Sequence, residues 1–325
     1  MKIAILGASG IGRSHARWFA RHGGEVVSIL GSSNESAART GATLQRDFGF
    51  AGLTFSDLGA LLEGTRPDAV CVASPPELHF AHASACLAAG VHVLCEKPLV
   101  YAPTSPNREN LAGAHELVRL AQEKNLVLAT QLQYGAATPI LCKLAGTAPP
   151  EVGDFAMEME TFNPRASRQP RELWIDLAPH ALSVAQVLGG AGAKLAPEPA
   201  RIDVQRDSQH TQIAARFSII ASGGRLLTCR VILRAREAAS GKAPLRRFAF
   251  NGRVVSYEGL AQPDGIYRAQ YSTPYGYQNI HDDPVNYLIG DFLRAIEERR
   301  APLMSGEMGA QNLSWLLEIA DEFSR

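Results

Sequence analysis

Three consecutive residues, Glu96, Lys97 and Pro98, follow the apolar run "LAAGVHVL", which reads as a buried strand ending near Leu94. A carboxylate and an ammonium group side by side are costly in a hydrophobic core unless they are paired. At the mouth of a sheet, an ammonium can hydrogen-bond a reacting oxygen and stabilise negative charge developing on it, with the neighbouring acid holding it in place. A second pair, Asp176 and His180, lies in "ELWIDLAPHALSVAQVLGG". Side chains four apart on a helix project from one side. A carboxylate there orients an imidazole and favours its protonated form, which suits general acid/base work near neutral pH. Lys97, Asp176 and His180 are therefore the candidate catalytic residues. A capping aspartate and a satisfied core histidine fit the same residues, on a helix predicted to have Pro179 in its first turn and to end at Gly189-Gly190.

The elements that must position these groups begin at the N-terminus. "KIAILGASGIGRSHARWFARHGGEVVSILGSSN" reads as a strand through Ile3, Ile5 and Leu6, a glycine turn, a helix over His15–His22 and a second strand over Val26–Leu30. That context turns a glycine pattern into a dinucleotide fingerprint. Gly7, Ser9, Gly10, Ile11 and Gly12 are the candidate pyrophosphate contacts, with Ser9 where the pattern usually has its second glycine. After the second strand, Gly31 stands where an acid would bind a ribose 2′-hydroxyl. Ser32 and Ser33 follow, with Arg39 further on, and hydroxyls with an arginine suit a 2′-phosphate, so NADP is favoured over NAD. Ser33 or Asn34 also fits the cap of the next helix.

The pattern repeats. "DAVCVASPPELH", "HFAHASACLAAG", "VHVLCEKP", "AGAHELVRLAQEKN" and "LVLATQLQY" alternate strand and helix, which predicts a doubly wound parallel sheet. Ligands bind beyond the carboxyl ends of such strands. Ser74, Pro75, Pro76, His79, Glu96 and Lys97 fall there and join the candidate cofactor contacts. His79, His82 and Cys86 share a helix face, but no local carboxylate or second cysteine completes a metal set, so no metal is expected.

The 325 residues suggest two domains, a dinucleotide-binding domain over 1–130 and a substrate and oligomerisation domain over 131–325. Lysine plus arginine balance aspartate plus glutamate at 32 each, which leaves no electrostatic footprint for nucleic acid or an anionic membrane. Five cysteines without a C-x-x-C pair, no signal peptide and no apolar run long enough for a membrane span point to the cytoplasm. The second half reads as strands, with hairpins at Ser222-Gly223-Gly224 and Asn251-Gly252. Its sheet needs a cover on one face, and a homodimer or homotetramer would supply one. The tyrosine-rich stretch "YRAQYSTPYGYQNIHDDP" reads as irregular, either a substrate wall or a surface loop. Asn163, Arg165 and Arg168, just upstream of Asp176, are candidates for binding a substrate carboxylate or phosphate, and a solvated loop fits them too.

The motifs "AILGASGIGRSHA", "ASPPELHFAHASACLAAGVHVLCEKPL" and "WIDLAPHALSVAQVLGG" resemble the glucose-fructose oxidoreductase / inositol dehydrogenase family (Gfo/Idh/MocA), and the C-terminal helical ending is similar as well. The resemblance implies a Rossmann domain followed by an α+β domain with a large, mostly antiparallel open sheet. It implies NAD(P)-dependent hydride transfer on sugars, cyclitols or related polyol-like molecules, and a cis peptide before Pro98. The chain departs from the family pattern at Ser9, in the long "YAPTSPNRENLAG" link, and in "QLQYGAATP", which lacks an arginine. Two other activities fit the same cofactor site: reduction of an imine, or a non-catalytic NADP-binding regulatory role.

Overall fold

A computed structural model describes residues 1–162, 169–207, 210–236, 244–261, 267–276 and 278–324. The chain forms two compact units, Met1–Leu132 with Val285–Leu313, and Gln133–Pro284 with Ser314–Arg325. The sequence suggested a single division near residue 130; in the structure residues 285–313 return to the first unit.

The first unit is built on β1 (Lys2–Leu6), α1 (Ile11–Arg21), β2 (Glu25–Leu30), α2 (Asn34–Phe48), β3 (Leu53–Phe55), α3 (Leu58–Thr65), β4 (Ala69–Val72), α4 (His79–Ala88), β5 (His92–Cys95), α5 (Asn107–Glu123) and β6 (Leu128–Thr130). Its six strands are all parallel, in the order β3-β2-β1-β4-β5-β6. Apart from exposed Lys2 at the start of β1, the central strands β1 and β4 are apolar and buried, as a sheet covered on both faces requires. Helix starts are set by local chemistry: Ser33 caps α2 by accepting from Ser36 N–H at 3.1 Å, and Asp57 caps α3 by accepting from Ala60 N–H at 2.8 Å. Helix α1 begins at Ile11, straight out of the glycine turn and earlier than the predicted His15.

The second unit opens with α6 (Gln133–Leu144), where the sequence suggested a strand over "LVLATQLQY". Tyr134, Ala137, Thr138 and Leu141 are buried at helical spacing there, and β6 is only three residues long, so the apolar run divides between two elements. Strand β7 (Asp154–Phe162) leads to α7 (Pro170–Gly189). The remaining strands are β8 (Lys194–Leu195), β9 (Arg201–Arg206), β10 (His210–Ile220), β11 (Leu226–Arg236), β12 (Arg246–Phe250), β13 (Arg253–Ala261), β14 (Tyr267–Ser272) and β15 (Gln278–Asp282). They form a nine-stranded sheet in the order β15-β14-β13-β12-β7-β11-β10-β8, with β9 also on β10. Among the described strands of this second sheet, only β7 and β11 pair in parallel. The tyrosine-rich stretch is therefore largely sheet: β14 pairs β13 and β15 pairs β14.

Alternate residues of β10 and β11 are buried, the period expected of a sheet packed on one face. The buried face carries Ile213, Phe217, Ile219, Val231 and Leu233. The other face carries ion pairs, Arg234 with Glu158 at 3.0 Å and Arg236 with Glu160 at 2.9 Å. The β12–β13 hairpin turns through Asn251 and Gly252, both at positive φ. Two C-terminal helices, α8 (Pro284–Glu297) and α9 (Gly306–Ala320), complete the chain.

Candidate active site

The glycine turn between β1 and α1 is shaped as a cradle. Gly7 has φ of +88°, and a Cβ on it would stand 2.6 Å from the Ala73 carbonyl oxygen. A Cβ on Gly12 would stand 2.4 Å from the Gly7 carbonyl oxygen. Both glycines are needed for close approach, the first to β4 and the second between α1 and the turn. Gly10 differs: nothing lies within 4 Å of its Cβ direction, and it precedes α1 with no side-chain cap. Ser9, Gly10 and Ile11 are exposed. An open glycine turn at the start of an eleven-residue helix fits a pyrophosphate, and Ser9 does not close it.

The end of β2 is tighter than the sequence suggested. A Cβ on Gly31 would stand 2.7 Å from Ala37 N and 2.8 Å from Ala37 Cα. The missing acid therefore has a packing reason, independent of cofactor choice. Ser32 and Ser33 are exposed, and Ser33 is engaged as the α2 cap. Arg39 pairs with Glu35 at 2.6 Å, both well exposed, an interaction weak enough to be exchanged for another anion.

Ser74, Pro75 and Pro76 follow β4, and Glu96 and Lys97 follow β5, so they share the carboxyl edge of the sheet with the glycine turn. Strands β1 and β4 are neighbours whose connections leave in opposite directions, the switch point where such sheets bind ligands. The Lys97–Pro98 peptide is cis. Ser74 Oγ lies 3.0 Å from His82 Nδ1. His79 is buried, with Nδ1 at 2.8 Å from the Pro98 carbonyl and Nε2 at 2.9 Å from the Ser74 carbonyl. Its ring ties the loop after β4 to the loop after β5, and both nitrogens are engaged there. Burial pushes the His79 imidazole down, against the two carbonyls and Glu96, which favour its charged form. Among the described residues no group of three His, Cys, Asp or Glu side chains is arranged to hold a metal.

Glu96 is the most constrained of these groups. Its Oε1 lies 2.7 Å from His15 Nε2, and its Oε2 accepts from Lys97 N–H at 3.2 Å. Burial alone would push its carboxyl up; the hydrogen bond from His15 and the charge on Lys97 hold it below its ordinary value. The thiols of Cys71 and Cys95 beside it are pushed up by burial and stay neutral. All five cysteines are free and buried.

Two residues of this edge were not picked out from the sequence. His15 is a buried histidine on the otherwise apolar inner face of α1, a signal that was there to read. Gln131 follows β6, is fully buried, and its side-chain amide has no partner among the described residues. Nothing in "LATQLQ" distinguishes it from an exposed glutamine.

In the second unit, Asp176 and His180 lie on α7, four residues apart. The helix starts at Pro170, so Pro170 takes the first-turn place that the sequence suggested for Pro179. Pro179 is interior, and Asp176 is an interior residue, not a cap. His180 is buried, and its ring packs edge-on against Tyr134, with centroids 5.2 Å apart. Tyr134 in turn contacts Phe248 and Tyr257, and Tyr257 contacts Tyr271. This aromatic cluster fixes the plane of the imidazole. Burial pushes the Tyr134 phenol up to about 12, so it stays neutral at working pH. Asn163, Arg165 and Arg168 lie outside the described residues.

A parallel sheet of this strand order, with its glycine cradle and charged loops on one edge, defines a dinucleotide-binding fold of the oxidoreductase type. Residues 1–132 match the family model described as an oxidoreductase family with an NAD-binding Rossmann fold, Gfo/Idh/MocA. A UDP-N-acetylglucosamine 3-dehydrogenase from Acidithiobacillus ferrooxidans is 26% identical over 98% of this chain and 96% of its own. A 1,5-anhydro-D-fructose reductase from Ensifer adhaerens is 36% identical, but over only 39% of this chain and 34% of its own. An oxidoreductase from Agrobacterium radiobacter, solved in complex with NAD+, L-tartaric acid and magnesium, superposes with a TM-score of 0.71 at 16% identity, over 99% of this chain and 97% of its own.

Proposed function

We propose that the chain transfers a hydride between a nicotinamide cofactor and a carbinol or carbonyl carbon of a sugar, cyclitol or related polyol-like molecule. The observation that carries this reading is the loop after β5, where Glu96 and Lys97 stand on the same sheet edge as the glycine cradle. The dehydrogenase that matches this chain over nearly its whole length supports the substrate class.

A bound nicotinamide supplies the hydride chemistry. Gly7, Ser9, Gly10, Ile11 and Gly12 would hold its pyrophosphate, and Ser74, Pro75 and Pro76 would flank it. The remaining work belongs to the chain's own groups. In oxidation the substrate hydroxyl must lose its proton, and His180 takes it as general base; in reduction His180 returns it. Lys97 donates a hydrogen bond to the reacting oxygen and stabilises the negative charge that develops there. Asp176, one turn before His180, orients the imidazole or holds a neighbouring substrate hydroxyl.

For the cofactor we favour NADP. Ser32 is exposed at the end of β2, Arg39 pairs with the exposed Glu35, and position 31 itself carries no acid to repel a 2′-phosphate. We also propose a homodimer or homotetramer through the ion-paired face of the second unit's sheet, which sedimentation velocity would test. Five free thiols fit a reducing cytoplasm, and no helix among the described residues is long and apolar enough to cross a membrane. The decisive experiment is a panel of sugars, cyclitols, sugar acids and UDP-sugars, with NADP+ and NAD+, followed at the absorbance of the reduced cofactor. Turnover of at least one carbinol is expected; binding of NADPH with no turnover across the panel would favour a regulatory protein instead.

A further inference from the structure

His15 has no place in that mechanism, yet it is fully buried on the fingerprint helix and makes the shortest contact to Glu96. Its Nε2 lies 2.7 Å from Glu96 Oε1, and its Nδ1 has no partner among the described residues. An imidazole so placed is cheapest as the tautomer that donates through Nε2–H. A proton on Nδ1 would be a buried donor with nothing to receive it. Glu96 thus has one oxygen on α1 and the other on the backbone N–H of Lys97. On the far side of the loop, the Pro98 carbonyl faces His79. The segment that carries Lys97 is held at the carboxylate before it and at the carbonyl after it.

We propose that His15 is a positioning residue, acting through Glu96 to fix Lys97. The inference rests on the reading of Lys97 as a group that acts on the substrate oxygen. The alternative is a histidine that merely satisfies a buried acid, with no effect on Lys97. The two differ in what happens when His15 is removed. The groups facing Glu96 are His15 from α1, Lys97 from its own loop, His79 from α4, and the neutral thiols of Cys71 and Cys95 from β4 and β5. Without His15 the carboxylate loses its direct hydrogen-bond donor while its desolvation remains. It then takes up a proton at higher pH, and its hydrogen bond from the Lys97 N–H loses charge assistance and weakens.

The test uses the full chain, with His15→Leu, His15→Gln and Lys97→Ala. On the parent, side-chain 15N NMR should show His15 protonated at Nε2 and bare at Nδ1; a proton on Nδ1 overturns the proposal whether or not a turnover substrate is in hand. Carbon-13 NMR of the glutamate carboxyls should show Glu96 taking up its proton at a higher pH in His15→Leu than in the parent. With a substrate from the panel, His15→Leu should lose at least tenfold in kcat, keep its NADPH Kd within about threefold, and gain a limb on which kcat rises with pH. His15→Gln, whose amide can still donate to Glu96, should recover most of the rate and lose that limb. Unchanged kcat and pH profile in a folded His15→Leu protein overturns the proposal, as does equal loss in both variants. Lys97→Ala separates the two readings. If it keeps full turnover, the role of Lys97 fails; if it is inactive while His15→Leu is not, only the inference about His15 fails.

Discussion

Placing aspartate at the end of β2 is the obvious way to move such a site toward NAD(H), because an acid there binds the ribose 2′-hydroxyl and repels a 2′-phosphate. In this chain Gly31→Asp should fail for a steric reason. The new Cβ would stand 2.7, 2.8 and 2.9 Å from N, Cα and Cβ of Ala37. Ala37 is fully buried in α2, and helix backbone does not swing aside as the end of a long side chain can. Overpacking of this kind costs about 1–3 kcal/mol. At about 2–4 °C per kcal/mol for a domain of this size, Tm should fall by about 5 °C. Ser32, the next residue, is exposed, so Ser32→Asp should leave Tm unchanged. A carboxylate beside a 2′-phosphate in a water-exposed site would cost about 1–2 kcal/mol, roughly tenfold in Kd. Differential scanning fluorimetry reads the first effect, and calorimetric titration with NADPH and NADH reads the second. A Gly31→Asp protein with parental Tm and tighter NADH binding would refute the steric argument. A Ser32→Asp protein with parental NADPH affinity would refute the placement of the phosphate.

His180→Ala should lower turnover on the identified substrate by roughly a hundredfold or more, the usual size of lost acid/base help, with little change in NADPH affinity; Asp176→Asn should fall between it and the parent. A folded His180→Ala protein with near-parental kcat would return both residues to packing roles. Glu96 has a folded pKa below its ordinary value of 4.5, so the stability it contributes is present above that value and is lost as pH falls through the folded one. Thermal melts of Glu96→Gln should therefore lose less Tm than the parent between pH 5 and 3, and parallel curves would contradict this. Residues 1–132 expressed alone should aggregate or fail to give a cooperative melt, whereas the same residues joined to 285–313 should be soluble; light scattering distinguishes the two.

Much of the first unit was legible because its signals are strong and local. The glycine turn, the apolar strands β1, β2, β4 and β5, and the charged loop after β5 each declare themselves in a few residues. What failed were elements whose cause lies elsewhere in the chain. Strand β3 was not picked out because two of its three residues are exposed and the third is only half-buried, so it shows no apolar period and exists by pairing with β2. Helix α7 was predicted nine residues too short because Pro179 is a plausible first-turn proline, and the true one, Pro170, is indistinguishable by type. Asp176 and His180 shared a face under either start, so the candidate pair survived the error. His79 was read as a cofactor contact from its place near the strand end; its two nitrogens instead meet backbone carbonyls, which no sequence pattern announces.

The return of residues 285–313 to the first unit follows from what β6 lacks. It is the last strand of its sheet, and an edge strand leaves backbone donors and acceptors open. Here Thr130 N–H donates to the Met304 carbonyl at 2.8 Å, and Ala129 bridges Ser305 in antiparallel fashion. Helix α9 then begins against the strand: a Cβ on Gly306 would stand 2.5 Å from Leu128, and one on Gly309 would stand 2.1 Å from Thr130 Oγ1. Two glycines three apart on one helix face let its backbone approach where a side chain would block it. On the other flank, Phe292 of α8 meets Phe19 of α1 edge-on at 6.3 Å, and Asn286 accepts from His22 at 2.7 Å. The apolar face of α1 is thereby covered as well. Helix α1 and the β6 edge are both covered by residues more than 150 positions downstream, so the first unit closes only once residues 285–313 have joined it.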